Sequence, residues 1–124
     1  EKGTVTISEK ILFTIGKSEL NKKGKNFIRF FSEIIDQEIF NEKEYKNLIK
    51  YLHIEGYGSK SGSENRNFDL SFERAKNVWY EMVHNSNIQN EEMMRHRLNI
   101  VSKGEIEANQ KIDLESDRKV VFRF

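Results

Sequence analysis

The sequence predicts an α+β fold in which two main helices pack on one face of a mixed four-stranded sheet, in the order β-α-β-α-β-β. Three observations carry this. Two segments place apolar residues at helical spacing, and several short segments alternate like strands covered on one face. Neither an internal repeat nor a long linker divides the 124 residues, a length that buries one core. The whole chain, 1–124, therefore reads as a single domain.

Residues 4–15, "TVTISEKILFTI", are rich in β-branched and apolar side chains and predict one strand or two short ones. The period then changes. Phe27, Phe30, Phe31, Ile34 and Ile35 fall on one helical stripe, predicting a helix from about Asn21 to about Phe40 with that stripe in the core. After the charged break "NEKEYKN", the segment "YLHIEGYG" alternates, with Leu52 and Ile54 on one side and Tyr51, His53 and Glu55 on the other. A polar loop is expected from Gly56 to Asp69. The second helix follows, with Ala75, Val78, Trp79, Met82 and Val83 facing the sheet. "QNEEMMR" reads as a short helical turn before a third strand in "HRLNIVSKGE". The last strand is "RKVVFRF", where Val120, Phe122 and Phe124 share a face.

Twenty-one basic residues against twenty acidic ones leave a formal charge of +1, so no strong field draws nucleic acid. Without cysteine, disulfide and thiolate chemistry are excluded. No apolar run approaches the roughly 18–20 residues of a membrane span, and the first residues lack a signal-peptide core. Any membrane attachment is thus expected through segments outside this sequence. Gly56, Gly58 and Gly62 form G-x-G-x-x-x-G, one residue too long for a dinucleotide fingerprint. "GKS" at 16–18 lacks the upstream glycine of a P-loop, since position 11 is Ile11. His53, His84 and His96 show no metal-ligand spacing, and no carboxylate pair is isolated in apolar surroundings. No enzyme, cofactor or metal site is expected.

One residue resists a bland reading. Arg74 falls in what reads as the first turn of the second helix, where the macrodipole disfavours positive charge. A guanidinium beside free helix N–H groups makes a fork for a carboxylate. Ser59, Asn67 and Ser71 can add neutral hydrogen bonds. Asp69 or Ser71 is the expected helix cap. The structural alternative is an internal ion pair of Arg74 with Asp69, Glu73 or a carboxylate from another element.

The stretch "GYGSKSGSENRNFDLSFERAKNV" resembles the signature of the OmpA-like C-terminal domain family, G-H/Y-T-D-x-x-G-S-x-x-x-N-x-x-L-S-x-x-R-A-x-x-V. Gly56, Tyr57, Gly62, Ser63, Asn67, Leu70, Ser71, Arg74, Ala75 and Val78 fall in register without a gap. "ILFTIGKSEL", "KGE" and "DRKVVFRF" are similar to the family's opening, turn and closing motifs, so the resemblance spans almost the whole chain. It implies an OmpA-like sandwich outside the cytoplasmic membrane, in the periplasm or extracytoplasmic envelope, as the C-terminal part of a larger envelope or motor-type protein. The implied role is noncovalent anchoring to peptidoglycan, with a stem peptide, diaminopimelate-type favoured, as partner. Arg74 would grip the ligand carboxylate, with Asn67 and Arg118 shaping the pocket and Ser59 and Ser71 beside it. A homodimer is a further implied partner.

The chain departs from the family at one telling place. Gly58 and Ser59 stand where the family has threonine and the aspartate that binds the ligand ammonium. Losing such a charge partner typically costs about 2–5 kcal/mol. Glu64 or Asp69 is the expected substitute. The alternative reading is a scaffold or dimerisation domain that has lost wall binding. An open pocket at Ser59, Asn67 and Arg74 favours the binder; Arg74 tied to an internal carboxylate favours the scaffold.

Overall fold

A computed structural model describes residues 3–43 and 49–124; the charged break at 41–47 lies largely outside the described residues. Strand β1 (Thr4–Ser8) is shorter than the apolar run predicts. Ser8 accepts a hydrogen bond from the Lys10 amide at 3.3 Å and caps a single helical turn, α1 (Glu9–Leu12). Glu9, Lys10 and Leu12 are all better helix formers than the β-branched residues before them. Phe13 then bridges Leu20 across a loop.

Helix α2 (Lys22–Ile35) begins where expected, its N-cap Asn21 accepting from the Gly24 amide at 2.6 Å. A π-helical turn, Asp36–Phe40, completes the predicted length. The predicted stripe is rotated, however. The buried line runs through Gly24, Ile28, Ser32 and Ile35, while Phe27 and Phe31 are half-buried and Ile34 is exposed. Phe30 is 62% exposed and is not core. An aromatic-rich helix offers two overlapping stripes, and packing against the sheet chose the other.

The remaining elements are β2 (Leu52–Tyr57), α3 (Glu64–His84), α4 (Glu91–Arg97), β3 (Leu98–Gly104) and β4 (Lys119–Arg123). The sheet order is β1-β4-β2-β3. β4 is antiparallel to both neighbours, and β2 and β3 are parallel, joined through α3 and α4. One face carries the rows Val5–Phe122–Ile54–Ile100 and Ile7–Val120–Gly56–Ser102 beneath the helices. Gly56 is where α3 comes closest: a Cβ there would stand 2.1 Å from the Ser71 carbonyl oxygen.

The opposite face carries Thr6–Val121–Glu55–Val101. Alternation placed Glu55 on this open side, yet it is only 6% exposed. Arg123 and Tyr57 lie over it and hydrogen-bond both its oxygens.

Helix α3 starts earlier than the loop reading allowed. Gly62, at φ +82°, turns the chain, and Ser63 caps the helix by accepting from the Arg66 amide at 3.1 Å. Asp69 and Ser71 therefore lie inside the helix and cap nothing.

Candidate binding site

The early start of α3 removes the dipole argument for Arg74, which sits mid-helix rather than in the first turn. Its position has another cause. Asn67, Leu70, Ser71 and Arg74 share one face of α3 at helical spacing, and that face borders a cavity of about 660 Å³. Ser59 and Gly58 close it from the β2–α3 loop, Glu9 and Phe13 from the segment around α1, and Arg118 from just before β4. The residues singled out in the sequence, Ser59, Asn67, Ser71, Arg74 and Arg118, thus line one cavity.

Arg74 is 3% exposed and held on three sides. Its Nε donates to the Lys17 carbonyl at 2.9 Å, its Nη1 meets Glu9 Oε1 at 2.6 Å, and its Cζ lies 4.8 Å from the Phe13 ring centroid. Burial lowers the guanidinium from its ordinary value, and the Glu9 charge opposes that. Nη2 is different: it is buried and has no partner among the described residues. A buried donor left unmade typically costs about 1–3 kcal/mol.

Arg118 works in parallel. Its Nε donates to Glu9 Oε2 at 2.9 Å, and its Nη1 to Ser59 Oγ at 2.5 Å and to Asp113 at 3.1 Å. Burial pulls its guanidinium down, but the hydrogen bonds to Asp113 and Glu9 outweigh this and raise it overall. Asp113 is held below the usual carboxylate range, first by its hydrogen bond with Ser59 and then by Arg118. Asn67 Nδ2 donates to the Ser59 carbonyl at 3.1 Å and to Glu105 Oε1 at 2.8 Å, fixing the loop that carries Ser59.

The expected substitutes for the absent aspartate are not there. Glu64 and Asp69 are exposed and do not line the cavity. Sequence reasoning missed Glu9, whose carboxylate bridges Arg74 and Arg118, and Asp113 beyond it. Glu9 lies outside the matched motif, and no local signal marks it. Among the described residues no group of three or more His, Asp or Glu is placed to hold a metal ion. Both discriminating observations are therefore present at once: Arg74 is tied to an internal carboxylate, and the cavity beside it is open.

Two helices over a sheet of order β1-β4-β2-β3, with an arginine-lined cavity along the first half of α3, define an OmpA-like domain. The chain belongs to the OmpA family, whose family model matches residues 12–120. Among solved structures it is similar to the periplasmic domain of Helicobacter pylori MotB, at TM-score 0.73 and 15% identity, covering 99% of this chain and 81% of that one. It is also similar to the OmpA-like domain of FopA1 from Francisella tularensis, at TM-score 0.64 and 20% identity, over 98% and 71% of the two chains. The cell wall anchor of the T6SS from Pseudomonas aeruginosa aligns at TM-score 0.66 and 14% identity, over 98% and 80%. At these identities the likeness is one of fold. No curated protein matches the sequence.

Proposed function

We propose that this domain is a non-enzymatic, noncovalent peptidoglycan-binding module that anchors a larger envelope or motor-type protein to the cell wall from the periplasmic side. Family membership and the likeness to a structure described as a cell wall anchor support the class. The observation that carries the reading is Arg74 in the wall of an open cavity, its Nη2 buried and without a partner among the described residues. A donor in that state is relieved by an acceptor brought from outside, and a stem-peptide carboxylate is such an acceptor. Asn67, Ser59, Ser71 and Arg118 are the other proposed binding residues, and a second copy of the domain is a further proposed partner.

The scaffold reading draws on a different observation, the Glu9 carboxylate already seated on Arg74. Cosedimentation with insoluble peptidoglycan separates the two. The wild-type domain is expected to pellet with diaminopimelate-type walls more than with lysine-type walls, and Arg74→Ala, checked for folding by circular dichroism, to stay in solution. A folded wild type that pellets with neither wall would establish the scaffold instead.

A further inference from the structure

We propose that the β1 edge of the sheet, with the outer flank of α2 above it, is an interface for a second copy of this chain. Two copies join β1 to β1 antiparallel across a two-fold axis and pack their α2 helices side by side. The inference gives a surface to the second copy named above, and it stands whether or not the cavity holds a stem peptide. Its first ground is the open edge. Gly3 accepts from the Phe124 amide and the Glu9 amide donates to the Arg118 carbonyl, so Gly3, Val5, Ile7 and Glu9 form the hydrogen-bonded pairs with the last strand. The amides and carbonyls of Thr4, Thr6 and Ser8 therefore point outward, and among the described residues no strand pairs with them. The edge is also unguarded by its sequence. "TVTIS" contains neither a charge nor a proline, whereas the other edge strand, β3, carries Lys103.

The second ground is the flank of α2. Arg29 donates to Glu81 of α3 at 2.5 Å, so that side of α2 faces α3. Helical spacing puts Phe27, Phe30 and Ile34 on the opposite side. Phe31, next to them, lays its ring 4.6 Å from that of Phe122 in β4. Helix α3 covers the other half of the sheet, with Ser71 against Gly56 of β2 and Phe68 against Gly104 of β3. The flank turned away from α3 thus overhangs β1. Phe30 and Ile34 are exposed there, an apolar ridge above an unpaired strand.

Both features are complementary to themselves, which selects a second copy over an unrelated strand. Antiparallel pairing about Thr6 sets Thr4 against Ser8 of the other copy and Val5 against its Ile7, hydroxyls on one face and β-branched side chains on the other. With strands roughly 4.8 Å apart and α2 seated over β1 and β4, the two α2 axes fall roughly 10 Å apart, the spacing at which helices pack. A two-fold axis perpendicular to the sheet keeps both helices on one face and makes them antiparallel. Lys23 begins the apolar flank and Glu38, in the π-helical turn, ends it. Each Lys23 then comes toward the Glu38 of the other copy. Both side chains are exposed, and neither has an ion-pair partner among the described residues.

Sedimentation equilibrium of the chain, with no wall material present, tests this. The wild type is expected to dimerise with a dissociation constant below about 100 µM. Phe30→Lys, at an exposed position and checked for folding by circular dichroism, should weaken association at least about 30-fold. Thr6→Pro removes one outward amide, spares the Val5 and Ile7 bonds to β4, and should weaken it to a similar extent. Lys23→Glu is expected to weaken the dimer several-fold, and adding Glu38→Lys to restore it, a recovery that a role within one copy would not give. Because the chain has no cysteine, Thr6→Cys can form a disulfide only between copies. It should cross-link under mild oxidation where Lys76→Cys, on the exposed back of α3, does not. A wild type that stays monomeric to about 1 mM overturns the proposal. So does a dimer that Phe30→Lys and Thr6→Pro both leave intact. Neither result bears on the wall reading, which cosedimentation decides separately.

Discussion

Two arginine–carboxylate clusters lie on opposite sides of β2, and they are finished differently. On the open face Glu55 Oε1 accepts from Tyr57 at 2.8 Å and from Arg123 at 3.0 Å, and Oε2 from Arg123 at 3.0 Å. Lys119 stands 5.0 Å from the Tyr57 ring centroid and adds a cation over it. Under the helices, Arg74 and Glu9 make a pair as close, yet one guanidinium nitrogen is left buried with no partner among the described residues. A network that closes on itself holds the sheet together. One left open beside a cavity gives up stability that a ligand can return.

Gly56 is the point where the two regions meet. Gly56→Ala puts a methyl group 2.1 Å from the Ser71 carbonyl oxygen, so α3 must lift from β2 and carry the cavity's face with it. A loss of about 3 kcal/mol or more in urea melts, together with lost wall binding, is expected. An unchanged melt would mean that the helix and sheet are not in this contact.

Glu55→Gln breaks only the closed cluster. It is expected to cost about 1–3 kcal/mol while leaving wall binding intact. Burial alone would raise Glu55, but hydrogen bonds from Arg123 and Tyr57 win and hold it below its ordinary 4.5. A depressed carboxylate contributes stability that is complete above its unfolded value and lost as pH falls through the folded one. The wild type should therefore lose stability on acidification below about pH 4.5 more steeply than Glu55→Gln, as read by melts across that range.

The smallest expected effect is at Tyr57. Burial and then the hydrogen bond to Glu55 push its phenol up to about 12. The unfolded chain releases that proton first, so this contribution is whole below about pH 10 and is lost as pH rises to about 12. Tyr57→Phe should cost about 1 kcal/mol and remove a phenolate that appears at 295 nm only as the pH nears 12. If that late phenolate survives the substitution, the closed cluster is not closed.

Element order and strand alternation were legible because each is a local pattern, and the motif from Gly56 to Val78 assembled one wall of the cavity in advance. Glu9 was not legible, because only the register of β1 against β4 brings its amide to Arg118 and its side chain to Arg74. The start of α3 was hidden by "GSENRN", a stretch of turn-forming residues. The signal was there in Ser63 followed by Glu64, a cap and a first-turn acid. Once α3 begins at Glu64, Arg74 needs no account from the helix dipole. Its reason is tertiary, which a one-dimensional reading of helix ends could not supply. The exposure of Phe30 is of the same kind, since period alone does not say which of two stripes meets the sheet.

The position of β4 bears on when the site comes into being. This last strand of the domain fills the gap between β1 and β2, and among the described residues β1 has no other ladder partner. Until it docks, the first strand waits on pairings that span the domain, the kind of closure that makes folding slow. Arg118 arrives with the same strand and fixes Glu9 through both backbone and side chain. Arg74, Arg118 and the carboxylate they share therefore come into register only once β4 has docked, so a half-made domain has no mouth to its pocket. Ligand capture would then report on completed folding.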